Sequence, residues 1–134
     1  MSDTEKITIN ISPVDLGRVD LLVDQGLYSN RTDLIRTAIR NQLDRHEAVI
    51  QEATTRRSFA LGVLRYSRTD LEEWKSRGEK VSLRIIGVLS LADDIPPDLA
   101  RDTIQSITVR GTFRASEEIR KVLADRINSS IAVT

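Results

Sequence analysis

Polar and apolar residues alternate with a period of two from Lys6 to Ser12, with Ile7, Ile9 and Ile11 on one side and Lys6, Thr8 and Asn10 on the other. The alternation predicts a short β-strand with the isoleucines turned inward. One strand alone has two unpaired edges and is not stable. No second alternating run follows nearby, so the expected partner is the same strand of another copy. The period then becomes helical. Ser12-Pro13-Val14-Asp15 reads as a helix start, with Ser12 as N-cap and Pro13 in the first turn. Leu16, Val19, Leu22 and Val23 form the stripe and Gly26 the stop; nothing in the sequence explains Gly17. A second helix begins near Ser29-Asn30-Arg31-Thr32-Asp33, capped by Ser29 or Asn30. Its stripe is Leu34, Ile35, Ala38, Ile39 and Leu43. The pattern persists through Val49, Ile50 and Ala53, with no Gly or Pro between Asn30 and Leu61, so the helix is expected to reach about Thr55.

From about Ser58 the pattern changes again. Three apolar runs each hold a central glycine: Phe59–Leu64 around Gly62, Leu83–Leu89 around Gly87, and Ile107–Phe113 around Gly111. A polar stretch and a helix start follow each run: Thr69-Asp70-Leu71, Ile95-Pro96-Pro97-Asp98, and Ser116-Glu117-Glu118 with Ser116 as cap. Repetition at about 24 residues is the mark of stacked units. The expected product is a small solenoid-like α/β repeat with a parallel sheet; a compact α+β domain with coincidental spacing is the alternative. Ile131 and Val133 are read as a final strand.

Strand, helix, helix, with an obligatory second strand, resembles the ribbon-helix-helix transcriptional regulators of the Arc, MetJ and CopG type. The strongest match is Gly26-Leu27-Tyr28-Ser29-Asn30-Arg31-Thr32-Asp33-Leu34-Ile35-Arg36-Thr37-Ala38-Ile39. Glycine, a Ser/Asn/Arg cluster, an acid, an apolar pair and an arginine follow in that family's order. The resemblance covers Lys6–Arg45. It implies two intertwined chains whose strands form an antiparallel ribbon in the DNA major groove. Lys6, Thr8 and Asn10 would then face base edges, where Lys suits guanine, Asn adenine, and Thr a base edge or thymine methyl. Ser29, Asn30 and Arg31 would contact phosphate at the start of the second helix. Ile7, Ile9, Ile11, Leu34, Ile35 and Ile39 would form the dimer core. The same residues also admit plainer readings: a solvated strand face for Lys6, Thr8 and Asn10, and a simple helix cap for Ser29–Arg31.

Composition narrows the choice. The chain has 134 residues, with 20 basic and 20 acidic side chains. A binder that holds nucleic acid by bulk charge is excluded, although a local contact surface is not. Residues 1–50 carry 6 basic and 8 acidic side chains, a net of −2, so specific contacts must carry the affinity. Absence of cysteine removes disulfides, zinc–thiolate sites and thiol catalysis. His46 is the lone histidine, so a multi-histidine metal site within one chain is impossible. Asp93, Asp94 and Asp98 lack calcium-loop spacing and read as a charged turn. Arg84, Arg110 and Arg114 fall on or beside strands and could line one surface. No acid–base or nucleophile set converges, so an enzyme is not expected, nor is a cofactor. No apolar run is long enough to span a bilayer and no secretory signal opens the chain, so the cytoplasm is the expected compartment.

The expectation is therefore a mixed α/β chain. Residues 1–50 form a ribbon-helix-helix DNA-binding domain and 51–57 a helical connector. Residues 58–134 form a strand–helix repeat serving oligomerisation or effector response. The partners are double-stranded DNA and a second copy, with a higher oligomer formed through 58–134. A sequence-specific regulator, in the form of a repressor, heads the list. An antitoxin and a structural assembly protein that polymerises through its C-terminal domain are the alternatives.

Overall fold

The computed structural model describes residues 4–128. These residues form six α-helices, one 3-10 turn and four strands. They divide into two compact units, one spanning Thr4–Ala53 and the other beginning at Thr54.

In the first unit, helix α1 (Pro13–Asp24) opens on Ser12, whose Oγ accepts the Asp15 N–H at 3.1 Å. It closes on Gly26 at φ 81°. The Gly26 N–H donates to Val23 O at 3.0 Å and the Leu27 N–H to Leu22 O at 3.2 Å. This pair of hydrogen bonds at a left-handed glycine satisfies carbonyls that the helix end leaves open. Helix α2 (Arg31–Arg45) is capped by Asn30, whose side chain accepts the Asp33 N–H at 2.8 Å. The single long helix expected to reach Thr55 is instead two. At His46 the backbone leaves the helical region (φ −104°, ψ 18°), and its N–H is shared between Gln42 O and Leu43 O, each at 3.2 Å. Shared bonds of this kind are common at helix ends. Helix α3 (Glu47–Arg56) restarts from the His46 carbonyl, which accepts the Ile50 N–H.

In the second unit strands and helices alternate. Strand β1 (Ala60–Tyr66) leads to helix α4 (Arg68–Ser76), and strand β2 (Val81–Leu91) to helix α5 (Pro97–Thr103). Strand β3 (Ile104–Arg114) leads to helix α6 (Glu117–Val122), and strand β4 (Ile127–Asn128) follows. The cap of α4 is Ser67, earlier than the Thr69 start suggested by the sequence. Its N–H donates to Asp70 Oδ2 while its Oγ accepts the Asp70 N–H, a reciprocal capping box. Ser116 caps α6 as expected, accepting the Ile119 N–H at 3.3 Å. The four strands are parallel and lie in chain order, β1-β2-β3-β4. Ile131 and Val133 lie outside the described residues.

One sheet face carries the core. Leu83, Ile85, Leu89 and Leu91 of β2 and Ile107, Val109 and Phe113 of β3 cluster with Leu71, Leu99 and Ile119 of the helices. Helix α5 packs between α4 and α6. The three central glycines stand side by side, Gly62 opposite Gly87 and Gly87 opposite Gly111. Their φ values are 137°, 130° and 128°. A Cβ at Gly87 would run into the Gly62 carbonyl oxygen, and one at Gly111 into that of Gly87. Both the conformation and the close backbone approach require glycine, which accounts for the spacings of 25 and 24 residues.

Candidate nucleic-acid interface

Lys6, Thr8 and Asn10 are all exposed, as are Ile7, Ile9 and Ile11 at 72%, 61% and 46%. Residues 6–12 form no strand within one chain and pair with none of the described strands. A strand needs a hydrogen-bonded neighbour, and the described residues of one chain supply none for this segment. Both of its faces are therefore open, the polar row as well as the isoleucine row.

The helices behind it are equally incomplete. No residue from Thr4 to Ala53 is buried. Leu34 is half-buried, while Ile35 and Ile39 are exposed. Leu21, Leu27, Leu43 and Val49 are also exposed. Isolated surface leucines are ordinary, but apolar residues on every element of a unit with no interior are not.

Ser29, Asn30 and Arg31 come together at the start of α2, where Asp33 organises them. Its carboxylate accepts the Ser29 N–H at 2.9 Å, and its own N–H donates to the Asn30 side chain. The N–H groups of Arg31 and Thr32 head the helix with no intrahelical acceptor. The Arg31 guanidinium is committed elsewhere. Its Nε donates to Asp20 Oδ1 at 2.7 Å and its Nη2 to Asp20 Oδ2 at 2.8 Å. This two-pronged pair ties α1 to α2. The hydrogen bonds from Arg31 hold the Asp20 carboxyl below the usual carboxylate range, and Asp20 in turn raises the guanidinium. Sequence reasoning assigned Arg31 to phosphate and missed this clamp. Its partner is eleven positions away on another helix, a distance no local pattern reports.

Elsewhere, Arg84 donates to the Arg57 carbonyl at 2.9 Å and lies over the Phe59 ring. Arg110 and Arg114 are half-buried on β3. Alternation along the strands puts all three on the sheet face opposite the core. An open cleft between Lys75, Lys80, Arg101 and Asp102 mixes both signs of charge, and Lys75 pairs with Asp102 at 3.4 Å. Among the described residues no group of three or more His, Cys, Asp or Glu side chains is placed to hold a metal ion. Nor is any described helix long and apolar enough to cross a membrane.

Comparison with known proteins gives one family. The model of the Ribbon-Helix-Helix transcriptional regulator family matches residues 2–120. No curated protein and no solved structure matches the chain.

Proposed function

Because the chain belongs to the ribbon-helix-helix transcriptional regulator family, whose members are DNA-binding regulators rather than enzymes, we propose that two copies pair their Lys6–Ser12 segments into an antiparallel ribbon that enters the major groove and represses transcription. The observation that carries this reading is the missing core of the N-terminal unit. Ile7, Ile9, Ile11, Leu34, Ile35 and Ile39 find no interior within one chain, and a second copy supplies one. Pairing buries the isoleucine row and leaves Lys6, Thr8 and Asn10 on the outer face, where they meet base edges. At α2 the Ser29 and Asn30 side chains and the leading N–H groups of Arg31 and Thr32 face phosphate. Arg31 itself acts there mainly by fixing the helix through Asp20.

The second unit (residues 58–134 in the sequence division) serves oligomerisation or effector response in this proposal, with the strand–helix alternation as a short solenoid-like stack. The antitoxin reading calls for a C-terminal segment that folds upon a toxin. The packed cluster around Leu71, Ile85, Leu89 and Phe113 instead favours a unit that folds by itself. An assembly protein that never touches DNA is separated from the regulator by experiment. In a competition mobility-shift assay, Asn10→Ala should lose about 1–3 kcal/mol of discrimination at one base pair of each half-site. Selectivity equal to that of the parent chain would refute the assignment of Asn10.

A further inference from the structure

Strand β1 is an edge strand: β2 lies on one side, and no strand of the described residues lies on the other. Two contacts show which backbone groups face outward. The Gly62 carbonyl is turned toward Gly87 of β2, and the Tyr66 carbonyl accepts the Ala92 N–H just past the end of β2 at 3.1 Å. Backbone groups of successive residues alternate sides along a strand. The N–H and C=O groups of Leu61 and Val63 therefore point to the edge away from β2. Leu61 and Val63 are 67% and 42% exposed. The strand has no proline and a single charged side chain, Arg65, so neither device blunts the edge between Leu61 and Val63.

Gly62 supplies a second, independent observation. In the Gly62–Gly87–Gly111 row, each inner glycine turns the place of its missing Cβ toward the backbone of the preceding strand. Gly62 holds the same conformation, yet among the described residues a Cβ there would meet nothing within 4 Å. The row thus offers, at the sheet edge, the same opening that a neighbouring backbone fills at its inner positions.

We propose that this edge takes the β1 strand of a second copy of the chain, antiparallel, about a two-fold axis at Gly62. That register sets Leu61 of each copy opposite Val63 of the other in hydrogen-bonded pairs. It sets the two Gly62 residues opposite one another in the close non-hydrogen-bonded position, where Cα atoms are only about 4.5 Å apart and a missing Cβ is an advantage. Leu61 and Val63 stand beside Ile86 and Val88 of β2, so the apolar row becomes continuous across both sheets. The contact is self-complementary, as a two-fold interface must be. It rests on the proposed N-terminal pairing only for its strength: chains already joined by a ribbon hold the second β1 at raised effective concentration.

Amide hydrogen exchange on the full chain tests this residue by residue. The Leu61 and Val63 amides should exchange at least about 100-fold more slowly than open amides. A Leu61→Lys/Val63→Lys chain should lose that protection and keep it at Ile85 and Val109. Unprotected Leu61 and Val63 in the parent chain overturn the edge pairing; protected Ile7 and Ile9 in the same experiment leave the ribbon standing, and unprotected ones remove it too. The chain has no cysteine, so co-expressed Leu61→Cys and Val63→Cys chains give a second reading. Oxidation should join residue 61 of one copy to residue 63 of the other, a spacing a disulfide spans. Protection without that cross-link means another strand occupies the edge and overturns the proposed occupant.

Discussion

Asp20 and Arg31 close the angle between α1 and α2 with two hydrogen bonds between exposed side chains. The pair gives the N-terminal unit a defined acid response. The folded-state pKa of Asp20 lies below its ordinary value, so its contribution is complete above the ordinary carboxylate range and is lost as pH falls below it. Thermal unfolding followed from neutral to acidic pH should therefore show Asp20→Asn slightly less stable at neutrality. The two chains should converge once the parent's carboxylate is protonated. A constant difference down to the lowest pH would mean the pair contributes nothing through charge. Exposed pairs are weak and screened by salt, so the neutral-pH difference should also shrink in high salt. At this scale the sequence was legible where chemistry is local. Ser12 and Ser116 announced their helix ends, and Asn30 was one of two named caps. The Arg31–Asp20 clamp was not legible, because it depends on how two helices pack.

At the scale of elements, the glycine row is the feature most sharply specified. Each inner glycine is held both by its positive φ and by a carbonyl oxygen where a Cβ would be. Gly87→Ala should cost at least about 1–3 kcal/mol from backbone strain alone, with the collision added, and should lower the urea midpoint of the second unit markedly. Gly17→Ala is the contrast, since among the described residues nothing lies within 4 Å of a Cβ there. It should stabilise the chain by about 0.5–1 kcal/mol. A tolerated Gly87→Ala would show that the strands do not stand in the register described. The spacing of these glycines carried the parallel sheet from sequence to structure. The break at His46 was not carried, because neither Gly nor Pro marks it and its cause is the backbone geometry at one residue.

For the whole molecule, two units with opposite economies share one chain. The second buries Leu71, Ile104, Ile107, Ile119 and Leu123 completely; the first buries nothing. If the first unit gains its interior from a second copy, its unfolding must depend on protein concentration while that of the second unit depends on it less. Dilution followed by two-wavelength circular dichroism should lower the apparent Tm of the N-terminal helices first. Concentration-independent unfolding of both units would count against a shared core. The neutral total charge and the net of −2 over residues 1–50 fit a regulator that places a few donors and doubles them by pairing. The proposed second copy lay beyond a single sequence, although Ile7, Ile9 and Ile11 in the Lys6–Ser12 segment pointed to the need for one.

The most direct measurement is selection of bound sites by the full chain from a random pool of double-stranded DNA. A pair of identical ribbons read by Lys6, Thr8 and Asn10 predicts enrichment of a two-fold symmetric site, with Asn10→Ala relaxing one position in each half. Recovery of no common sequence, or of an asymmetric one indifferent to all three side chains, would contradict the account.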